Sequence, residues 1–322
     1  MSGRLPPTDR SRRRVLFGAL GISSALLTGH RAMAAPSEVE HADLRRHLKA
    51  VRRWGCQYQN IDVAEIAASD LDLIAVEPSL DDDANRFISA AQVEALKRKP
   101  DGGRRIVLGY LCVGEADTKR WFWPAAWRNR PPDWLGPENS EWPGSYPVRY
   151  WQREWRDLLL DSPQSLLQQL LDAGYDGALL DRVDAFQDWQ SIVPNAPELM
   201  IDLVVSLAER ARSQRPGFLL LPQNAEPLLR YPAYRGVIDG LNKESLLAGL
   251  QGQNQLNTAE DVAWSLGYID QVRRLGLKLL ATEYTSDPGV TRQVTRRLLE
   301  LGFTPFIGRR ALDRMPEPPP VD

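Results

Sequence analysis

Short apolar runs, bounded by glycine, proline and polar residues, recur along this chain and alternate with longer segments whose apolar positions repeat at helical spacing. The strand-like runs fall at 55–59, 71–77, 105–112, 177–181, 218–223, 236–241, 278–283 and 303–307, which makes eight. Between them, 162–173 carries Leu166, Leu167, Leu170 and Leu171 on one helical face after a Ser-Pro start. Helices are also expected over 197–214, 258–275 and 290–301, and each of the four is followed by a glycine or proline before the next strand. Eight strands alternating with helices imply an α/β protein with a closed parallel sheet, the (β/α)8 barrel, whose chemistry gathers at the strand carboxyl ends. An open doubly wound sheet is the alternative. No G-x-G-x-x-G turn follows the first strand, and the chain has no phosphate loop.

One connection departs from this rhythm. Residues 114–161 separate the third strand from the next helix and hold Trp121, Trp123, Trp127, Trp134, Trp142, Trp151 and Trp155, seven of the ten tryptophans. Ordinary loops are short and polar, so a long Trp-rich insertion with six prolines is expected to form an ordered lid or platform. Indole faces suit sugar rings and cations; a satellite core built from the same rings is the plainer alternative.

The ends read differently from the middle. Ser11-Arg12-Arg13-Arg14, an apolar run from Val15 to Leu27 and then Ala32-Met33-Ala34 have the layout of a cleavable export signal of the twin-arginine type over 1–34. As a membrane anchor that run is short and is broken by Gly18, Gly21, Ser23 and Ser24. A periplasmic or secreted protein is therefore expected, with no stable membrane span after cleavage. Residues 35–53 read as a charged helical extension that either caps the barrel bottom or frays, 54–313 as the barrel, and the proline-rich 314–322 as an unstructured tail.

Charge and composition then narrow the chemistry. Without residues 1–34 the chain keeps 34 basic and 41 acidic residues, a balance of −7 that argues against a nucleic-acid partner and suits a neutral or cationic one. Cys56 and Cys112 belong to the first and third strands, too far apart for a disulfide, and read as two small buried thiols. His41 and His47 precede the first strand, so neither a histidine or cysteine metal cage nor a histidine-based triad can be assembled. No cofactor is expected. Asp81-Asp82-Asp83 reads as a solvated turn, although metal-assisted hydrolysis on oxygen ligands stays open. The chain has no G-x-S-x-G elbow for a serine esterase.

The strand ends supply Gln57, Gln59, Glu77, Glu115, Asp117, Asp181, Asp184, Gln223, Asn224, Glu244, Glu283 and Tyr284. A carboxylate just beyond a buried strand must be wetted, paired or used, which marks Asp181 by position alone. Carboxylates and amides without histidine fit glycoside hydrolysis, where one acid protonates the leaving oxygen and another carboxylate attacks the sugar or activates water.

The segments Gly109-Tyr110-Leu111-Cys112-Val113-Gly114-Glu115-Ala116-Asp117, Gly174-Tyr175-Asp176-Gly177 through Leu180-Asp181-Arg182-Val183-Asp184, and Gln223-Asn224 resemble glycoside hydrolase family 114, the endo-α-1,4-polygalactosaminidase type of (β/α)8 barrel. The resemblance runs from Trp54 to about Asp313. It implies an endo-acting hydrolase of galactosamine-rich exopolysaccharide, with Asp181 as nucleophile and Glu244, in Asn242-Lys243-Glu244-Ser245, as acid/base. Asp239 is the rival acid, but its place within a strand favours structural pairing. Substrate contacts are expected from Gln57, Glu77, Tyr110, Glu115, Asp117, Asp184, Gln223, Asn224, Glu283 and Tyr284. Arg182 is expected to face the helical layer, and strand alternation should turn Lys243 away from Glu244.

Overall fold

The computed structural model describes residues 36–80, 86–140 and 142–316. The export-signal reading of 1–34, the turn at Asp81-Asp82-Asp83 and the tail beyond residue 316 lie outside the described residues.

Ten strands are present among the described residues: β1 (Trp54–Gln57), β2 (Leu73–Val76), β3 (Ile106–Cys112), β4 (Glu115–Asp117), β5 (Ser145–Pro147), β6 (Gly177–Asp181), β7 (Leu219–Pro222), β8 (Gly240–Glu244), β9 (Lys278–Glu283) and β10 (Thr304–Ile307). All but β4 and β5 belong to the barrel. β1, β2, β3, β6 and β7 form one parallel sheet and β8, β9 and β10 another. The bridge Gln223↔Asn242 joins β7 to β8. On the other side the Trp54 indole N–H donates to the Thr304 carbonyl at 2.9 Å, and the Trp54 and Phe306 rings meet edge-on at 5.6 Å. The sheet thereby closes into the expected (β/α)8 arrangement.

Side-chain alternation sorts each strand between two cores. Trp54, Cys56, Leu73, Ala75, Ile106, Leu108, Leu179, Leu219, Leu221, Leu280 and Phe306 fill the barrel interior, while Ile74, Val76, Val107, Ala178, Leu180, Leu220, Leu241 and Ala281 pack outward under the helices. The glycine at 177 permits close strand packing: a Cβ there would lie 2.3 Å from the Leu219 carbonyl oxygen.

The helix Pro36–Ala50 places Leu44 and Leu48, followed by Val51, in the interior cluster at the barrel bottom. Two boundaries moved. The run expected as a strand at 236–241 divides: Pro232–Val237 is a helix begun by its proline, and the strand is Gly240–Glu244. Polar Asn242 belongs inside a buried strand because its amide is paired on both sides, donating to Gln223 Oε1 at 3.0 Å and accepting from Thr282 Oγ1 at 3.2 Å. The start of the tail, expected to be unstructured from residue 314, instead packs: Met315 lies on the outer core and Pro316 sits against Gly55. No helix among the described residues is long and apolar enough to cross a membrane.

The insertion is built around β4 and β5, an antiparallel pair pairing Glu115 with Pro147 and Asp117 with Ser145. Its tryptophans act mainly as a core. Trp155 and Trp134 are buried, Trp155 donates to the Val113 carbonyl at 3.0 Å, and ring contacts run from Trp123 through Trp127 and Trp134 to Trp155. The satellite-core reading therefore holds for these rings. Trp142 alone of the seven is strongly exposed, at 50%.

Candidate active site

The same alternation decides what reaches the mouth. Counting inward from the interior positions, β2 delivers Glu77, β3 delivers Tyr110, β6 delivers Asp181, β7 leads to Gln223, β8 delivers Glu244 and β9 leads to Tyr284. All six line a cavity of about 590 Å³ that opens at the strand carboxyl ends, together with Glu115, Asp117, Asp184 and Asn224. Ten of the twelve expected site residues are thus brought together.

Two are not. Gln57 and Glu283 have outward parity on β1 and β9. The Gln57 amide donates to the carbonyls of Gln59, Asn60 and Asp313, tying the chain end to the first loop. Glu283 is fully buried and accepts from the amides of Leu247 and Ala248 at 2.8 and 3.1 Å. Burial pushes its carboxyl up to about 7 against the pull of those amides. Both residues shape loops and touch no part of the cavity.

Asp181 is held by three donors. Tyr110 Oη donates to Oδ2 at 2.6 Å, and Oδ1 accepts from the Arg182 amide at 2.8 Å and Gln223 Nε2 at 3.3 Å. Glu244 accepts from Tyr284 Oη on Oε1, and from Gln223 Nε2 at 3.1 Å and Asn224 Nδ2 at 3.4 Å on Oε2. One amide nitrogen therefore touches both carboxylates. Their facing oxygens can be no further apart than 3.3 and 3.1 Å laid end to end. The two carboxylates are therefore close neighbours across the cleft, as a pair acting on one glycosidic bond must be.

The turns beneath these groups are unusual. Arg182, Asn224 and Ser245, each just past a strand that carries a site residue, have φ of 58°, 55° and 50°. A left-handed conformation costs a non-glycine residue on the order of 1–2 kcal/mol, so the rim is held by its surroundings. At the first of these turns the Arg182 N–H points back onto the Asp181 carboxylate.

Arg182 does not face the helical layer, as expected from sequence, but lines the cavity. Its guanidinium lies 3.0 Å from Glu115 and 3.3 Å from Asp184, and it also pairs with Asp188. Glu115 is further fixed by Asn139 Nδ2 at 3.0 Å. Gly114 lets this loop lie against the Arg182 carbonyl, which a Cβ would approach to 2.3 Å. The insertion contributes Arg120, whose guanidinium grips both oxygens of Glu77, one at 2.8 Å, and lies 5.9 Å from the Tyr110 ring centre. At the rim Trp142 and Tyr284 flank Arg310, their ring centres 5.8 and 5.7 Å from its guanidinium carbon. Among the described residues no cluster of three or more histidine, cysteine, aspartate or glutamate side chains is arranged to hold a metal ion.

The model of glycoside-hydrolase family GH114 matches residues 35–317. The chain belongs to this family. Proteins from Methanocaldococcus jannaschii and Deinococcus radiodurans, both described as uncharacterized, are similar to it along most of their length. The first is 29% identical over 275 residues, covering 81% of this chain and 77% of that protein; the second is 30% identical over 271, covering 83% of each. Among solved structures, the glycoside hydrolase domain of PelA from Pseudomonas aeruginosa superimposes with a TM-score of 0.63 at 23% identity, over 82% of this chain and 97% of that domain. The protein is a glycoside hydrolase acting on polysaccharide.

For a GH114 enzyme the electrostatics of the cleft are apt. Burial raises the Glu244 carboxyl above its ordinary value, the Tyr284 hydroxyl opposes this, and the Asp181 charge adds to it. A raised carboxyl stays protonated further toward neutrality, which a general acid requires. Asp184 is likewise pushed up to about 6, chiefly by burial and against the pull of Arg182. Arg120, Tyr58 and Arg310 are cavity residues that sequence reasoning passed over, and Trp142 is one it named only as a member of the tryptophan cluster. Inward parity on β1 pointed to Tyr58. The other three come from the insertion and the final loop, where no period exists to read.

Proposed function

We propose that this protein is an exported, endo-acting glycosidase that cleaves α-1,4-linked galactosamine-rich exopolysaccharide with retention, using Asp181 as nucleophile and Glu244 as acid/base. The observation that carries the reading is the single Gln223 amide in contact with both carboxylates. Asp181 attacks the anomeric carbon as Glu244 gives its proton to the departing glycosidic oxygen. The resulting glycosyl-enzyme is hydrolysed by water that loses its proton to Glu244, which restores both groups. Tyr110, the Arg182 amide and Gln223 fix the nucleophile's two oxygens, so the attacking one is oriented before substrate arrives.

Six carboxylates line the cleft, Glu77, Glu115, Asp117, Asp181, Asp184 and Glu244, against the cations Lys119, Arg120, Arg182 and Arg310, and this acidic excess supports a cationic amino sugar over a neutral one. The open cleft and half-exposed Trp142 suit attack within a chain. The arginine-led segment at 1–34 supports export, which fractionation of the producing cells and the mass of the mature N-terminus will test.

The deciding experiment incubates the protein with defined α-1,4-galactosamine and N-acetylgalactosamine oligomers and follows products by mass spectrometry and anomeric proton NMR. Internal cleavage with α-anomers appearing first is expected, and Asp181→Asn and Glu244→Gln should be folded and at least about 10²-fold slower. First-formed β-anomers would overturn retention. Cleavage confined to other glycans in a polymer panel would overturn the substrate. Polymer retained in a pull-down without release of reducing ends would indicate a binding protein on the same scaffold.

A further inference from the structure

We infer that Lys243, which does not line the cleft, is a positioning residue that fixes the Asn224 amide so that its Nδ2 faces Glu244. Outward parity on β8 turns Lys243 beneath the rim, away from the Glu244 carboxylate, as sequence alternation suggested. Its ammonium is pinned there from two sides. Glu226 Oε1 lies at 3.3 Å, and Nζ donates to Asn224 Oδ1 at 3.1 Å. Glu226 is itself buried and receives the Ser265 hydroxyl at 2.8 Å, so the anchor is joined to the helix Ala259–Val272.

The amide orientation follows from what each neighbour can do. An ammonium only donates, and the backbone N–H of Glu244, 3.0 Å from Asn224 Oδ1, only donates. Both must face the amide oxygen. Nδ2 is left to face Glu244 Oε2 at 3.4 Å, beside the Gln223 donor. Reversed, the amide would set N–H groups against an ammonium and a backbone N–H. Without the ammonium only the Glu244 N–H would hold the amide oxygen, and the amide would be free to swing about that single bond and make its contact with Glu244 less often.

Electrostatics point the same way. The groups whose charge or hydrogen bonds act on Glu244 are the Tyr284 hydroxyl, the Asp181 carboxylate, the two amides, the Cys56 thiol and, from beneath the rim, Lys243, whose ammonium lowers the Glu244 carboxyl that burial raises. Lys243 in turn pairs with Glu226, and its charge also acts on Asp184, Glu283 and Glu244.

This role rests on Glu244 being the acid/base, and the test separates the two claims. Side-chain carboxyl 13C NMR of glutamate-labelled protein, with Glu244 assigned through Glu244→Gln, gives its titration midpoint without any need for turnover. Lys243→Met should raise that midpoint and lower kcat about tenfold with KM changed less than about twofold, the loss of one well-made hydrogen bond to a charged group. Lys243→Arg should restore most of both. In an Asn224→Ala background, Lys243→Met should change kcat by less than about twofold, because the contact it controls is already gone. Equal losses in the two backgrounds, or an unmoved midpoint, overturn the inference. Should Lys243→Met fail to fold, Glu226→Gln replaces it: the ammonium loses its counter-charge, the Glu244 midpoint should fall, and an unchanged or rising midpoint is contrary. Midpoints that move as expected in a protein that releases no reducing ends would leave the positioning intact and sink the glycosidase assignment.

Discussion

Asp239 and Glu244 stand at the two ends of β8, and the protein treats their charges in opposite ways. At the barrel bottom the fully buried Asp239 carboxylate accepts from His41 Nε2 at 2.9 Å, Arg45 Nε at 2.6 Å, Arg212 at 2.9 Å and the Leu220 amide at 2.8 Å. Burial alone would push it up, but His41, Arg212, Leu220 and Arg45 together hold it below its ordinary value. At the mouth Glu244 is also desolvated, yet its donors are a hydroxyl and two neutral amides, and the nearby charge of Asp181 is of like sign. One carboxylate is locked ionised by cations that link the N-terminal helix to the barrel. The other is kept where a proton can come and go. This is the division expected of a (β/α)8 enzyme, with stability at one end and chemistry at the other.

Exchanging the two charges for amides probes the comparison most strongly. Glu244→Gln should lower kcat on polymer about 10²- to 10⁴-fold, the usual worth of a general acid, with little change in urea midpoint. Asp239→Asn should do the reverse. Removing one partner of a buried ionic cluster costs about 3–5 kcal/mol, while kcat per folded molecule should stay within about twofold. Reducing-end assays and urea unfolding on both variants give a two-by-two outcome. An Asp239→Asn protein with its urea midpoint intact and its activity lost would break the contrast and revive Asp239 as the acid.

A gentler change sharpens the mouth alone. Tyr284→Phe removes the hydroxyl that lowers the Glu244 carboxyl, so that carboxyl should rise further. Activity that depends on protonated Glu244 declines as pH increases through its midpoint; the alkaline limb of kcat/KM should therefore move to higher pH. At the optimum a loss of about two- to tenfold is expected for one hydrogen bond. An alkaline limb that moves to lower pH would show that another group carries the proton.

Most of this contrast was legible before the structure because β-strands have period two. The run Gly177 to Asp181 announced its carboxylate, and every barrel strand but the sixth fell close to its expected place. Gln57 and Glu283 were misjudged for a reason the sequence also held: they have the opposite parity to Cys56 and Thr282, so they had to face outward. The sixth strand was shifted because Asn242, Lys243 and Glu244 look like loop residues, and only the pairing of Asn242 with Gln223 and Thr282 makes them affordable in a barrel. Arg182 was misplaced by the same alternation rule, which fails once φ turns positive just past the strand. The insertion was legible as ordered but not in detail. Which of seven tryptophans stays wet depends on contacts between residues far apart in sequence, and that information is not local.

The smallest expected effect extends the comparison to pH and stability. Asp239 has a depressed carboxyl, so its contribution is present above the unfolded value of about 3.9 and is lost as pH falls through its folded value. Glu283, raised to about 7, and Asp184, raised to about 6, act with the opposite sign. Folding favours their protonated forms, so their contribution is complete below the unfolded values near 4 and fades as pH rises through 6 to 7. The protein should accordingly melt a few degrees higher at pH 5 than at pH 8, the shift given by about 1 kcal/mol in a chain of this size. Glu283→Gln removes the largest titrating contributor while leaving an acceptor for one of the two loop amides, so the difference between pH 5 and pH 8 should shrink. The sharp loss of stability below pH 4 should persist in Glu283→Gln and disappear in Asp239→Asn. Melting curves at pH 3, 5 and 8 for the three proteins decide it, and a Glu283→Gln variant with the full pH 5 to 8 difference would place the titrating group elsewhere in the fold.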